Sequence, residues 1–554
     1  MPVPLLPLTI QAPGYKGLNT ENSDLTLDPG WATQLNNVVF DTSGRACSRE
    51  GNVVVSTNDP FAANPPRVIH IHESIDSSGK TLSTPIIAGL DSSTYKIFQG
   101  TSGSLTAITG SITGSTESNF QFTDFTKDAS GTLTEHIIGF QKGHAPIVAA
   151  STAGVPQAFA DLAGTAIPAS GNCVHSAFGR LWCTDDARQK LFYSSLLLHT
   201  HWTTTGGNLV MSTYWPNGND HIIAITNWEN KLVVFGEQSI IIFQNMDSVF
   251  TGGNSLWDII DGIGCVARDS VQSIGSDVLF LSDSGVRSLR KTVVEGKAPL
   301  SDFSDSVRTE LLLSVTNGDM DYVKSLYSPD KGFYLLIFGD VGKIFHFDVS
   351  NIEQARSLPE AEMVRISTWD STDIYCGSAA RSNVIYLGVH PDSDNIGQLA
   401  KYGGYVDGTS TYLMDYTSPW LDLSSEQEGG TWLKIIKKIN LLMQGGDTYT
   451  ATLGLSYDFS PVYKQYNKDV AVLGTLVYEY TAESTTVGPE YWPEGSSEAS
   501  AAEYGTSKPV PSRVKFNVSG DGQFFRMSIT VPITGYQLCF QQIDVLLKRG
   551  RIAR

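Results

Sequence analysis

The sequence is poor in the features that would name a chemistry. Its 554 residues hold only 6 cysteines, scattered as Cys47, Cys173, Cys183, Cys265, Cys376 and Cys539, and no two form a Cys-x-x-Cys pair. That spacing excludes a zinc ribbon and a dense disulfide framework, and the expectation is mostly buried, reduced thiols in strands. Long hydrophobic runs are missing too. Stretches such as Ile240–Phe243 are far too short to cross a bilayer as a helix. The opening MPVPLLPLTI lacks a basic region and is broken by prolines, so no signal peptide is expected. Neither a Gly-x-x-x-x-Gly-Lys-Ser/Thr phosphate loop nor a Gly-x-Ser-x-Gly elbow occurs. Cations are outnumbered, 38 Lys and Arg against 57 Asp and Glu, for a net charge of -19. That balance argues against a protein that grips nucleic acid, since phosphate contacts need clustered Lys and Arg. It suits a soluble chain made in a reducing cytoplasm.

What the chain does have is turn chemistry and short apolar runs. Glycine is abundant at 52 residues and aromatics make up 10%, which favours many strands over long helices. Seven times an apolar run meets a small or polar turn and returns as a second run. The copies start at Pro85, His136, Val174, Ile222, Val271, Val323 and Asp373. The last five turns centre near Gly179, Asn230, Ser276, Lys331 and Ser382, at separations of 51, 46, 55 and 51 residues, while the second copy sits about 37 residues before the third. Several units add a third strand, as at Ser239–Phe243 and Lys343–Phe347. A period near fifty with three or four strands per unit predicts propeller blades, which bury their faces by radial stacking and lose their edges by ring closure. The rival architectures are a long β-sandwich or a solenoid.

The predicted fold is therefore all-β: a β-propeller of about seven blades over 66–415, an N-terminal extended segment over 1–65, and a C-terminal β domain over 416–554 forming a platform. Strands of that last domain are expected at Ile435–Met443, Thr448–Tyr457, Val514–Val518, Phe524–Val531 and Tyr536–Leu547. Ser484–Pro511, rich in Ser, Glu, Gly and Pro, reads as a long exposed loop. The best helix candidate is Ser301–Val315.

No specific catalytic constellation emerges, and no cofactor or metal is expected. Ser282-Asp-Ser-Gly285 departs from the Ser-x-Asp-x-Gly box of sialidase-type propellers and reads as a turn. His70 and His72 alternate on one strand, as do His199 and His201, a spacing that can ligate a metal, but no third ligand is set by sequence. Asp185, Asp186 and Asp340 read as solvated turn carboxylates. Trp202, Trp215, Trp228 and Trp257 could stack on sugars if exposed, although core packing is the commoner fate. Basic residues cluster twice: Lys434, Lys437 and Lys438 in LKIIKKINLL, and Lys548, Arg549, Arg551 and Arg554 at the end. Each cluster suits either an interface with an acidic subunit or a charged edge strand that discourages aggregation.

The most specific stretch is IQAPGYKGLNTENSDLTLDPGWATQLNNVVFDTSGRACSREG, running from Ile10 to Gly51. Its Gly-Leu-Asn motif, Pro-Gly step, Asn-Asn pair before a short apolar strand, Gly-Arg turn and second arginine resemble the N-terminal signature of the tail nozzle proteins of short-tailed bacteriophages, also called tail tubular protein B or packaged-DNA stabilisation proteins. The resemblance covers about a tenth of the chain; over the propeller it is architectural only. It implies a virion tail protein without enzymatic activity, assembled in the host cytoplasm as a homohexamer below the portal and its adaptor ring. Such a ring continues the DNA channel, retains packaged double-stranded DNA, conducts it during ejection, and contacts tail fibres or tailspikes, without stable membrane insertion. In the family the two chain ends contribute to the inter-subunit platform, and the propeller lies peripherally. Arg45 and Arg49 match the two signature arginines and are expected to organise the N-terminal segment or a subunit contact. The alternatives are a carbohydrate-binding or glycan-cleaving propeller, and a plain interaction scaffold.

Overall fold

The computed structural model describes the chain apart from residues 1–4, 59, 62, 76–77, 113, 115–117, 130, 204–205, 217, 247–254, 296–301, 351–363, 371–372, 392–395, 423–431, 446–447, 472–476, 481–501, 506–510 and 553–554. The chain forms two compact units. One comprises 18–22 and 51–403; the other comprises 1–17, 23–50 and 404–554. The expected N-terminal segment 1–65 is thus divided between them.

The first unit is a β-propeller of seven sheets. The innermost strands are Pro66–Ile75, Gln121–Ala129, Val174–Ala177, Ile222–Trp228, Gln272–Ile274, Val323–Ser328 and Ile374–Ala379. Successive inner strands lie against one another, except that the fourth meets the 3₁₀ turn Arg268–Ser270 just before the fifth, and the seventh returns to the first. Each inner strand turns into its neighbour through a hairpin holding a residue in the left-handed region: Gly79, Gly131, Gly179, Asn230, Gly275, Gly332 and Asn383. Glycine and asparagine tolerate that conformation, which is why these two residue types punctuate the repeat. The seven apolar–turn–apolar copies fall one to a blade. In blades 1 and 2, however, they mark the second and third strands, Thr81–Asp91 with Thr94–Gln99 and Thr132–Gln141 with His144–Thr152. The irregular early spacing has that origin.

Ring closure draws on distant sequence. Asn52–Val54 adds the outermost strand of blade 7 by pairing antiparallel with Gln398–Tyr402. The seam between blades 7 and 1 is apolar, with Phe61, Ile69, Ile87, Leu105, Cys376 and Leu399 all buried. Burying each such aliphatic or aromatic side chain stabilises by about 1.5–3 kcal/mol. Blade 5 has three strands, and the chain continues from it into helix Leu289–Glu295. The predicted helix over 301–315 is observed as a short 3₁₀ turn, Asp305–Val307, followed by helix Arg308–Asn317. Asp302 rather than a leading serine ties this region, accepting from Ser304 N–H and from the Arg308 guanidinium.

The second unit is a sandwich of two sheets. One has the order Pro511–Gly522, Trp432–Gly445, Leu538–Ile552, Ala46–Ser48, Val38–Phe40, with Leu6–Gln11 also paired to Leu538–Ile552. The other contains Gln34–Asn36, Tyr412–Thr417, Phe525–Ile533, Thr448–Tyr457 and Lys464–Ala471. Strict alternation along Phe525–Ile533 buries Phe525, Met527, Ile529, Val531 and Ile533, the period-2 pattern of a one-faced strand. Tyr416 of one sheet meets Phe540 of the other edge to face at 6.1 Å between ring centroids. Two further strands, Val477–Tyr480 and Ala502–Gly505, pair as a hairpin. Part of the expected loop 484–511 is therefore strand; the remainder lies outside the described residues. Among the described residues no helix is long and apolar enough to cross a membrane.

Candidate functional site

The signature residues build the sandwich. Arg49 is fully buried, and its guanidinium makes a two-pronged ion pair with Asp407, Nη1 to Oδ1 at 2.9 Å and Nη2 to Oδ2 at 2.5 Å. Its Nε donates to Asn37 Oδ1 at 2.8 Å, Nη1 also donates to Glu50 O, and the plane lies 4.3 Å from the centroid of the Tyr412 ring. Burial raises the Tyr412 phenol pKa, and its hydroxyl donates to Arg49 O. The fork shape of arginine suits this site; a lysine could not fill it. Arg45 is ion-paired to Asp41 at 2.6 Å and donates to Gln444 on the Trp432–Gly445 strand. Both arginines therefore organise the N-terminal segment within the unit.

Four of the six cysteines, Cys173, Cys183, Cys265 and Cys376, are buried free thiols, as expected of most of them. The other two were not foreseen as a pair: Cys47 and Cys539, 492 residues apart, are opposite one another on adjacent strands and form a disulfide. Asp41 lies with this pair in a potential metal-ligand grouping. Its two sulfurs are consumed by the disulfide, so it lacks the thiolates a metal would need.

The two basic clusters meet on neighbouring strands, Lys434 opposite Arg549 and Ile435 opposite Lys548. The edge-strand expectation fails for the first cluster, since Trp432–Gly445 is paired on both sides. Lys548, Arg549 and Arg551 lie past Leu547, where the pairing with Leu6–Gln11 stops, so among the described residues that end of Leu538–Ile552 is paired only with Trp432–Gly445. Lys434 points inward, with Nζ paired to Asp422 and donating to Gln523 O at 3.0 Å. A register shift between Ile436 and Lys438 breaks the alternation, so Lys437 and Lys438 are both exposed. Lys548 is half-buried. Arg554 lies outside the described residues.

In the propeller, His70 and His72 do share a face, and both meet Asp124 Oδ1, at 3.0 and 2.9 Å. Burial would raise the Asp124 pKa, but the two imidazoles outweigh it and hold the carboxyl below the ordinary range. His72 Nε2 also meets Ser151 Oγ at 2.9 Å. The atom order Ser–His–Asp is that of a hydrolase triad. With His72 only 1% exposed and joining blade 1 to two strands of blade 2, it acts as a polar strut between blades. His199 and His201 are not on a strand. His199 is buried against His136, ring centroids 4.6 Å apart, and burial pushes its pKa down to about 3. Ser282–Gly285 is a tight turn closed by Ser282 Oγ donating to Gly285 O. Asp185 accepts within its own turn from Gln189 N–H, whereas Asp186 accepts from Gly143 N–H and Asp340 from Asp319 N–H, each in another segment. Trp202, Trp215 and Trp228 are buried, while Trp257 is 39% exposed.

Sequence reasoning missed the propeller's axial cavity, of about 340 Å³. Every blade contributes to its wall: Val68, Gln121, His175, Asn227, Gln272, Lys324 and Ser378 in blade order. Arg268, just before the blade 5 inner strand, donates to Asn119 O, Asn172 O and Asp269, tying blades 2, 3 and 5 together. Lys324 pairs with the same Asp269. Burial would raise the Asp269 pKa, but Arg268 and Lys324 outweigh it and hold it ionised. A polar inner strand was the available signal, since a blade's inner strand faces the axis on one edge.

No protein-family model and no curated protein sequence matches the chain. Among solved structures, the WD40 β-propeller domain of Doa1 is similar at 11% identity, with 63% of this chain and 97% of that one covered and a TM-score of 0.34. The WD40 domain of Toxoplasma gondii coronin is similar at 8% identity, 67% and 87% coverage and a TM-score of 0.37. PorZ of Porphyromonas gingivalis is similar at 10% identity, 76% and 46% coverage and a TM-score of 0.32. The propeller in this chain stands on its own strand pairing and ring closure.

Proposed function

We propose that this chain is a structural protein of a short-tailed bacteriophage tail, a nozzle subunit that assembles as a homohexamer below the portal and adaptor ring. In that role it continues the DNA channel, retains packaged double-stranded DNA, conducts it during ejection and offers attachment to fibres or spikes. The observation that carries the reading is the use of the signature. Residues 23–50 and 404–554 fold together as one sandwich, Arg49 and Arg45 lock the early segment into it, and the propeller is inserted between them in sequence. This matches the arrangement implied by the family resemblance, in which both ends build the platform. The exposed Lys437 and Lys438 offer a cationic contact on a chain of net charge -19, where an acidic neighbouring subunit supplies the complement.

Six copies at -19 would carry a formal charge of -114, and carboxylates facing a channel would repel duplex DNA and favour low-friction passage. Single-particle electron microscopy of the purified chain, alone and with a portal–adaptor complex, tests the reading. A six-fold ring with a channel wide enough for duplex DNA is expected. A monomer that forms no ring beside the adaptor would overturn it.

A further inference from the structure

We propose that the axial cavity of the propeller binds a small anion, a phosphate or carboxylate compound, through Lys324. The proposal is independent of the tail reading. Among the described residues Asp269 is the one carboxylate lining the cavity, and its two oxygens already accept from Gln121 Nε2, Arg268 Nε, Arg268 Nη2 and Lys324 Nζ. Two carboxylate oxygens offer about four acceptor positions, so Asp269 is saturated. Arg268 is spent as well: its remaining N–H groups go to the carbonyls of Asn119 and Asn172.

Lys324 is different. Its side chain is 7% exposed, and Asp269 is its one acceptor among the described residues. Lys324 lines the cavity, and an ammonium carries three donors, which leaves two without a protein partner among the described residues. Buried charged groups are costly unless their hydrogen bonds are met. The charge count points the same way. Arg268 and Lys324 contribute two positive charges to the wall against the single negative charge of Asp269; Asp321, which also faces Arg268, is exposed. An anion seated on Lys324 would meet both the donor deficit and the charge deficit.

Size and further contacts narrow the class. About 340 Å³ corresponds to roughly eleven water volumes at ~30 Å³ each, enough for an inorganic phosphate or a tricarboxylate. Gln272 and Ser378 line the same space and supply groups that can orient hydroxyl or acid oxygens. The cavity lies at the low end of the volume range of small-ligand sites, whose affinity comes from a few convergent polar groups.

The test is isothermal titration of the full-length chain with inorganic phosphate and, separately, citrate, at constant ionic strength, with chloride as control. Saturable one-to-one binding of one of them, with Kd below about 1 mM, is expected, and which one binds distinguishes phosphate from carboxylate chemistry. Lys324→Met should weaken binding at least tenfold. Because that change also touches Asp269, Ser378→Trp is the second variant: it fills the cavity and leaves the charge cluster intact, and should abolish binding while the far-ultraviolet circular dichroism is unchanged. Absence of saturable binding to the parent chain overturns the proposal. So does binding that survives Ser378→Trp, which would place the anion elsewhere.

Discussion

Replacing Arg49 with Met should destabilise the sandwich far more than a surface change would. The guanidinium is fully buried and pairs through two nitrogens with Asp407, whose side chain is only 11% exposed. Met fills much of the aliphatic volume but takes away the guanidinium that pairs with that carboxylate and donates to Asn37 Oδ1 and Glu50 O. Breaking one side of a buried pair costs about 3–5 kcal/mol, most of it from the stranded charge. For a unit of 150–250 residues each kcal/mol shifts Tm by roughly 2–4 °C, so the sandwich transition should fall by roughly 6–20 °C. Differential scanning calorimetry would follow it separately from the propeller. The double variant Arg49→Met with Asp407→Leu removes the stranded charge and should recover at least half of the loss. A single-variant loss below about 1 kcal/mol would refute the reasoning, and so would single-variant losses that simply add, since coupled neighbours must not be additive.

Other tests address the remaining features. Reduction, or Cys47→Ala, should lower the stability of the sandwich by about 2–5 kcal/mol, and a non-reducing peptide map should recover the Cys47 and Cys539 peptides joined. Phe61→Ala should cost about 3–5 kcal/mol in urea unfolding of the propeller, because Phe61 is fully buried at the ring-closing seam and meets Phe98 edge to face at 5.5 Å. Acid should weaken the propeller early. Burial depresses the His199 pKa to about 3 and that of His346 to about 4, so between pH 6.5 and about 4 the unfolded chain takes up protons that the folded one does not. Stability should therefore fall with falling pH by about 1.4 kcal/mol per unit for each histidine, and His199→Leu with His346→Leu should flatten urea midpoints measured from pH 7 to 5.

The propeller was legible because its signal is local. Each blade announces itself through a hairpin of two apolar strands, around a glycine or asparagine in blades 2 to 7 and around Ser92 in blade 1. Blades 1 and 2 were mis-phased because their inner strands carry His70, His72 and Asp124, polar residues that serve a contact with the next blade and hide the apolar alternation. The sandwich strands after residue 430 were readable for the same local reason. What joins them to the first fifty residues was not: the pairing of Leu6–Gln11 with Leu538–Ile552, the Arg49–Asp407 ion pair and the Cys47–Cys539 bond each link residues hundreds of positions apart. The doubled lysine in LKIIKKINLL did contain a clue. Two adjacent charges in an otherwise internal strand mark a bulge, and a bulge is what lets both reach solvent.

The nested closure of the two units sets the order in which this chain can mature. Residues 52–54 find their partner strand once residue 402 has left the ribosome, but residues 6–11 must wait for residues 542–547. At ~5–20 residues per second, that wait is roughly half a minute to two minutes. During it the propeller can close while the early strands remain without a sheet. A prematurely terminated chain would therefore carry a finished propeller and no sandwich: only a chain translated past residue 547 can present the surface built from both of its ends.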